Sequence, residues 1–139
     1  MMRTDNIGVN YPGGITALQP TSIRFVSGQF TVLLGPSGAG KSTLLRCLNF
    51  LCRPNVGHVY VDGLGNLNSG SLLRKHRKNT AMIFQQHQLI VRLTALQNVL
   101  IGRVGHHSGL RSLFPLAKAE VVTALECLDR VGLLHKAAE

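Results

Sequence analysis

Along the first third of the chain, apolar positions alternate or gather in short runs, and turn-forming residues separate them. Ile7, Val9 and Tyr11 alternate with Gly8 and Asn10 and predict a strand. Pro12-Gly13-Gly14 predicts a turn, and the run 15–18 resumes an extended segment. Ile23, Phe25 and Val26 predict another short strand that Ser27-Gly28 ends. Phe30-Thr31-Val32-Leu33-Leu34 is almost continuously apolar and has the length of a buried strand. The period then changes. Leu44, Leu48 and Leu51 stand at i, i+4 and i+7, with Leu45 and Cys47 beside them, and predict a helix with one buried face. Residues 53–57 are a turn cluster, 58–61 a strand, Asp62-Gly63 a tight turn, and 65–70 a loop. Residues 71–78 predict a short basic helix and 81–84 a second buried strand. Thr94 is placed to cap a helix over 95–101 that stops before Gly102. Residues 103–114 predict a loop or broken helix. Pro115 would open a last helix with Glu120 in its first turn, Val121, Val122, Leu125, Leu128 and Val131 on its apolar face, and Gly132 after it.

Between the strand at 30–34 and the first helix lies Gly35-Pro36-Ser37-Gly38-Ala39-Gly40-Lys41-Ser42-Thr43, with the spacing G-x-x-x-x-G-K-S. Binding a polyphosphate takes many donors converging on a small anion. Backbone N–H groups supply them if the chain wraps closely, and Gly38 and Gly40 permit that wrap. The loop runs straight into a helix N-terminus, whose dipole favours anions. Lys41 would reach the β- and γ-phosphates. The Ser42 hydroxyl would sit on Mg²⁺, and Thr43 would donate toward the α-phosphate. The ligand this implies is a nucleoside triphosphate, ATP or a relative, with magnesium.

Composition is that of a globular chain: 139 residues, 45% hydrophobic. The net charge of +9, from 15 Lys+Arg against 6 Asp+Glu, admits nucleic acid, an anionic membrane surface or an acidic partner. The densest run, Arg74-Lys75-His76-Arg77-Lys78, reads as the solvated face of a short helix. No aromatics interleave with it as a nucleic-acid reader would require, so no nucleic-acid partner is expected. No run approaches the roughly 18 apolar residues of a membrane span, and there is no secretory leader pattern. Cys47, Cys52 and Cys127 are an odd number without close pairs, which argues against a disulfide framework or zinc site; Cys47 and Cys127 are expected to be buried. Neighbouring His106 and His107 diverge too far on a helix to share one metal and read as a surface pair.

Together these residues resemble the ATP-binding subunit of an ABC transporter. Tyr11 stands 30 residues before Lys41, where this family has an aromatic that stacks on adenine. Thr43-Leu44-Leu45-Arg46, the strand-turn from Gly57 through Gly63, and Ile83-Phe84-Gln85-Gln86 are similar to the family's corresponding segments. The last resembles its glutamine loop. By that resemblance Gln85 contacts Mg²⁺ and the attacking water, and relays nucleotide occupancy to the membrane subunits. The segment from Phe84 through Leu133 is similar to the phosphonate-import branch. The resemblance implies an α/β P-loop fold: an N-terminal antiparallel β subdomain, part of a parallel core sheet, and the start of a helical subdomain. It implies a partial ATP-binding domain over 1–139, with the β subdomain and phosphate-loop core in 1–84 and the glutamine loop and helical start in 85–139. It implies as partners a second ATP-binding subunit as a homodimer, transmembrane permease subunits near residues 87–114, and indirectly a periplasmic phosphonate-binding protein. The location implied is peripheral, on the cytoplasmic face of the inner membrane.

The family's signature segment, its acidic strand with the catalytic glutamate, and its switch histidine are expected beyond Glu139. On that reading the strands 30–34 and 81–84 lack neighbours within this chain, and an apolar face is exposed. ATP binding is then the expected capacity, with hydrolysis belonging to the complete protein. Two rival readings are a truncated fragment that binds nucleotide weakly at most, and a basic nucleic-acid-binding P-loop protein.

Overall fold

The structure, a computed structural model, describes residues 1–85, 88–105 and 117–139. The expectations for His106, His107 and Pro115 fall outside those residues. The chain divides into two units, Met1–Met82 and Ile83–Glu139.

The first unit is built on an antiparallel sheet. β1 (Met2–Tyr11) pairs with β2 (Ile15–Thr21) through the Pro12-Gly13-Gly14 turn. Its N-terminal half pairs with β3 (Arg24–Phe25) and with β4 (Val56–Val61), and β4 pairs with β5 (Gly65–Asn66). The short strand β5 falls within the segment expected to be loop. Two residues suffice for it because the Asp62-Gly63 turn returns the chain directly onto β4. Helix α1 (Lys41–Leu48) packs against this sheet, and the buried core is Ile7, Val9, Leu18, Leu44, Cys47, Val59 and Leu67. Thr4 is the buried polar link: its hydroxyl accepts from the Ile23 N–H at 2.8 Å, fastening the segment before β3 to β1.

Helix α1 is shorter than its leucine spacing predicts. The Leu51 and Cys52 N–H groups both return to the Arg46 carbonyl, at 2.9 and 3.2 Å, and Phe50 takes a left-handed φ of 51°. That closure ends the helix at Leu48 and leaves Leu51 exposed, while Leu45, within the helix, lies outside the buried face of Leu44, Cys47 and Leu48. Helix α2 (Gly70–Lys78) begins at Ser69, whose hydroxyl accepts from the Leu72 N–H. Its basic run is only partly a solvated face. His76 is buried with Nε2 2.9 Å from the Leu48 carbonyl, and Arg77 donates to the carbonyls of Asn49 at 3.2 Å and Phe50 at 2.8 Å. His76 and the Arg77 cation of α2 thus meet the open carbonyls at the negative dipole end of α1.

The two expected buried strands are absent. Residues 30–34 and 81–84 make no ladder. Phe30 is 94% exposed, Leu34 88% and Ile83 98%, and only Leu33 packs against the core. A parallel strand needs neighbours on its edges to pair its N–H and C=O groups, and nothing in the described residues supplies them. The α/β class stands, carried by the antiparallel sheet and helices, while the expected parallel portion is unformed and its apolar side chains are open.

In the second unit, α3 (Ala95–Val104) starts with a reciprocal cap. The Thr94 hydroxyl accepts from the Gln97 N–H, and the Gln97 side chain accepts from the Thr94 N–H. The helix continues through Gly102, since a glycine weakens a helix without terminating it. Asn98 organises the approach to α3: its Oδ1 accepts from the Ile90 N–H at 2.9 Å, and its amide donates to the carbonyls of Ile90, Leu93 and Thr94 at 3.1–3.2 Å. Helix α4 (Lys118–Arg130) packs on α3. Its buried line is Glu120, Ala124 and Leu128, with Val122 and Val131 exposed, so the helix is turned from the face that its valines predict. The Glu120 carboxylate sets that rotation, accepting from Arg103 Nε at 3.4 Å and from the Ala117 N–H at 3.3 Å. Cys127, expected inside, is exposed on this helix.

Candidate functional site

The loop Gly35–Thr43 joins an unpaired segment to the start of α1. Gly40 is its hinge and the N-cap of α1, at φ 83°, and no side chain caps the helix. A Cβ on Gly40 would come within 3.0 Å of the Ala17 carbonyl oxygen and 3.0 Å of Leu18 Cδ1. Glycine is therefore required twice, for the backbone angle and for the close approach of the loop to β2. That approach creates a cavity of about 410 Å³ lined by Ser37, Gly38, Ala39, Gly40, Lys41, Ser42 and Thr43 on one side and by Ile15, Thr16 and Ala17 on the other.

Lys41 closes this cradle on itself. Its Nζ donates to the carbonyls of Gly35 at 2.7 Å and Pro36 at 2.6 Å. The ammonium is thereby held over the loop, and both bonds are exposed enough to exchange for stronger acceptors. Ala39 N–H reaches back to Pro36 at 3.3 Å, and the first helical bond, Leu44 N–H to Gly40, is 2.8 Å. Ser42 lies exposed in the first turn of α1 and Thr43 is half-buried beside it. The arrangement is a backbone concavity with one cation, hydroxyls and a helix N-terminus, which is a polyanion cradle.

Tyr11 lies at the end of β1, paired with Ile15 across the turn and 48% exposed. Its hydroxyl is 3.9 Å from Cys52 Sγ. This contact, and the nearby Cys52 charge, push the phenol above its ordinary value. The ring is not among the residues lining the cavity. Gln85 is an exposed bend residue in the second unit. Ile15, Thr16 and Ala17 escape sequence reading. They have no chemical signature, and only the hairpin register sets them against the loop.

Residues 18–139 match the sequence profile of the ABC transporter family.

The chain belongs to the ABC transporter family.

It is 60% identical over 137 residues to the phosphonates import ATP-binding protein PhnC 1 of Trichodesmium erythraeum, covering 99% of this chain and 54% of that protein. It is 61% identical over 137 residues to the phosphite import ATP-binding protein PxtA of Stutzerimonas stutzeri, covering 99% of this chain and 50% of that protein. The chain thus spans about half the length of the curated relatives it matches. Among solved structures, an ATP-binding cassette in a dimeric post-hydrolysis state with ADP and Pi superposes with a TM-score of 0.83 at 32% identity, covering all of this chain and 61% of that one. A second ABC transporter cassette, in an ADP conformation, gives 0.75 at 29% identity and 56% coverage. The fold is that of an ABC ATP-binding cassette, and ATP is the nucleotide class this family binds.

Proposed function

We propose that this chain is the nucleotide-binding portion of the energy-coupling subunit of a phosphonate- or phosphite-type importer. Gly35, Pro36, Ser37, Gly38, Ala39, Gly40, Lys41, Ser42 and Thr43 hold the phosphates, and Tyr11 stacks on adenine. The Ser42 hydroxyl and the Gln85 carbonyl oxygen are magnesium ligands by their donor chemistry, and a bound magnesium ion would neutralise the phosphate oxygens. Gln85 also orients the attacking water and couples the site to the permease. In the complete protein, two such subunits face each other, ATP hydrolysis drives transport through permease subunits, and a periplasmic binding protein delivers the anion. The subunit works peripherally on the cytoplasmic face of the membrane; no helix among the described residues is long and apolar enough to cross one.

The observation that carries this reading is the Lys41 ammonium, held over the phosphate loop by the Gly35 and Pro36 carbonyls at 2.7 and 2.6 Å. Those carbonyls are placeholders that a phosphate would displace, because charge-assisted bonds to an anion are stronger than bonds to neutral carbonyls. Replacing the lysine removes the only loop cation. Lys41→Ala is expected to abolish binding of a fluorescent ATP analogue, and unchanged affinity in that titration refutes the assignment. The support for an importer of this kind is the 60% and 61% identity to the two named relatives.

A further inference from the structure

Two arginines stand opposite each other across the ladder that β1 makes with β3, where Arg3 is the Cα partner of Arg24. On the next rung the Thr4 N–H donates to the Ile23 carbonyl at 2.8 Å. Rungs alternate in an antiparallel pair, so Arg3 and Arg24 occupy a non-hydrogen-bonded rung, where side chains stand closest and leave the same face. That face is turned from the core: both arginines are exposed, and Thr4 beside Arg3 is buried on the other face. Like charges directly opposite each other destabilise a ladder. Neither arginine forms an ion pair among the described residues, and Asp62 is taken by the N-terminal ammonium at 3.1 Å. Arg3 instead lays its guanidinium over the Tyr60 ring, 4.7 Å from the centroid, on the β4 side and away from Arg24. A cavity of about 330 Å³ lies here, lined by Arg3, Thr4, Asp5, Ser22, Ile23 and Arg24. Its lining holds two cations against the one carboxylate of Asp5. The Ser22 hydroxyl accepts from the Asn6 N–H at 2.8 Å, which leaves its own proton to donate. None of these residues lines the phosphate-loop cavity.

We propose that this cavity is a second anion site, which takes a phosphate-class oxyanion, free or as a lipid headgroup, between Arg3 and Arg24 with the Ser22 hydroxyl as a further donor. Two guanidinium forks and a hydroxyl offer more donors than the two oxygens of a carboxylate can accept. A tetrahedral phosphate presents more oxygens and carries enough charge to offset both cations. Binding also removes the repulsion across the rung. The hold of Tyr60 on Arg3 is weak because the pair is exposed, so the guanidinium is free to turn from the ring to the anion.

The arginine Nε–H signals of the isotope-labelled chain, followed by NMR, report the two side chains separately. Inorganic phosphate at constant ionic strength should shift the Arg3 and Arg24 signals saturably, in the unsubstituted chain and in Lys41→Ala alike, and acetate should not. Arg24→Gln should weaken the response at Arg3 by roughly tenfold or more in affinity. Its affinity for a fluorescent ATP analogue should match that of the unsubstituted chain. Phosphatidate vesicles form a separate arm, with phosphatidylcholine vesicles as the blank; a response to phosphatidate without one to phosphate assigns the site to a headgroup. Silence of both arginines in both arms overturns the proposal. So do equal shifts with acetate, loss of the response in Lys41→Ala, or an Arg3 response undiminished by Arg24→Gln. Urea titration supplies a second readout. Without phosphate, Arg24→Gln should unfold at a midpoint no lower than the unsubstituted chain, since it removes a like charge. Phosphate should raise the midpoint of the unsubstituted chain more than that of the variant, and an equal rise in both overturns the site.

Discussion

The two loop glycines separate a backbone-angle requirement from a space requirement. Gly38 and Gly40 have nearly equal angles, φ 80° and 83°. A Cβ at Gly38 meets nothing within 4 Å, whereas one at Gly40 meets the Ala17 carbonyl oxygen and Leu18 Cδ1, each at 3.0 Å. Alanine in the left-handed region costs about 1–2 kcal/mol. Alanine also reduces the entropy of the unfolded chain by about 0.4–1 kcal/mol, equally at both positions. Gly38→Ala should therefore cost about 1 kcal/mol net. Gly40→Ala adds overpacking, whose cost starts at about 1 kcal/mol. The Leu18 methyl can rotate away, but the Ala17 carbonyl belongs to β2 and cannot, so the added contact survives relaxation. The expected difference between the variants is about 1 kcal/mol, which shifts a urea midpoint by about 0.5 M at a slope of about 2 kcal/mol/M. Far-UV circular dichroism in urea, without nucleotide, measures it. Coincident midpoints, or a Gly38→Ala variant less stable than Gly40→Ala, would refute the claim that β2 walls the loop.

Other outcomes follow from single contacts. Arg77→Ala should lower the stability of the first unit by about 1 kcal/mol through loss of its two bonds to the end of α1, and Arg77→Lys should not recover it, because an ammonium lacks the guanidinium fork; urea titration of the three proteins decides. Asn98→Leu keeps the volume of the side chain but removes its bond to the Ile90 N–H, so hydrogen exchange at Ile90 should accelerate, and an unchanged rate would show that Asn98 does not hold that segment. Burial pushes the Cys47 thiol from its ordinary 9.0 up to about 12, with the Cys52 charge adding to the effect. The fold binds that proton more tightly than the unfolded chain does. Its contribution is therefore complete below about pH 9 and is lost as pH rises from there toward about 12. Replacing Cys47 with alanine should flatten the alkaline decline in stability measured over that window, and an unaltered slope would refute the assignment.

The phosphate loop, the first hairpin and the capped start of α3 are legible locally, because each depends on neighbours within a few residues. The Gly-rich spacing requires a close wrap, Pro12-Gly13-Gly14 reverses the chain, and Thr94 with Gln97 closes a helix end. Cys127 was misread because its hydrophobic character does not say which way α4 turns; a buried Glu120, paired with Arg103 across the unit, decides that. The basic run of α2 differs from a solvated face for the same reason, since its His76 and Arg77 side chains act on the end of another helix 28 residues away.

The sequence by itself determined a phosphate cradle with Lys41 and Ser42 and an ABC-type chain around it, since motif chemistry is short-range. Only the tertiary structure decided that Ile15, Thr16 and Ala17 wall that cradle, that Cys52 comes to lie beside the Tyr11 hydroxyl, and that 30–34 and 81–84 form no ladder. The physical reason is shared by all three. An apolar run states a preference for burial, but a wall, a side-chain contact or a strand exists only when a distant segment arrives to meet it.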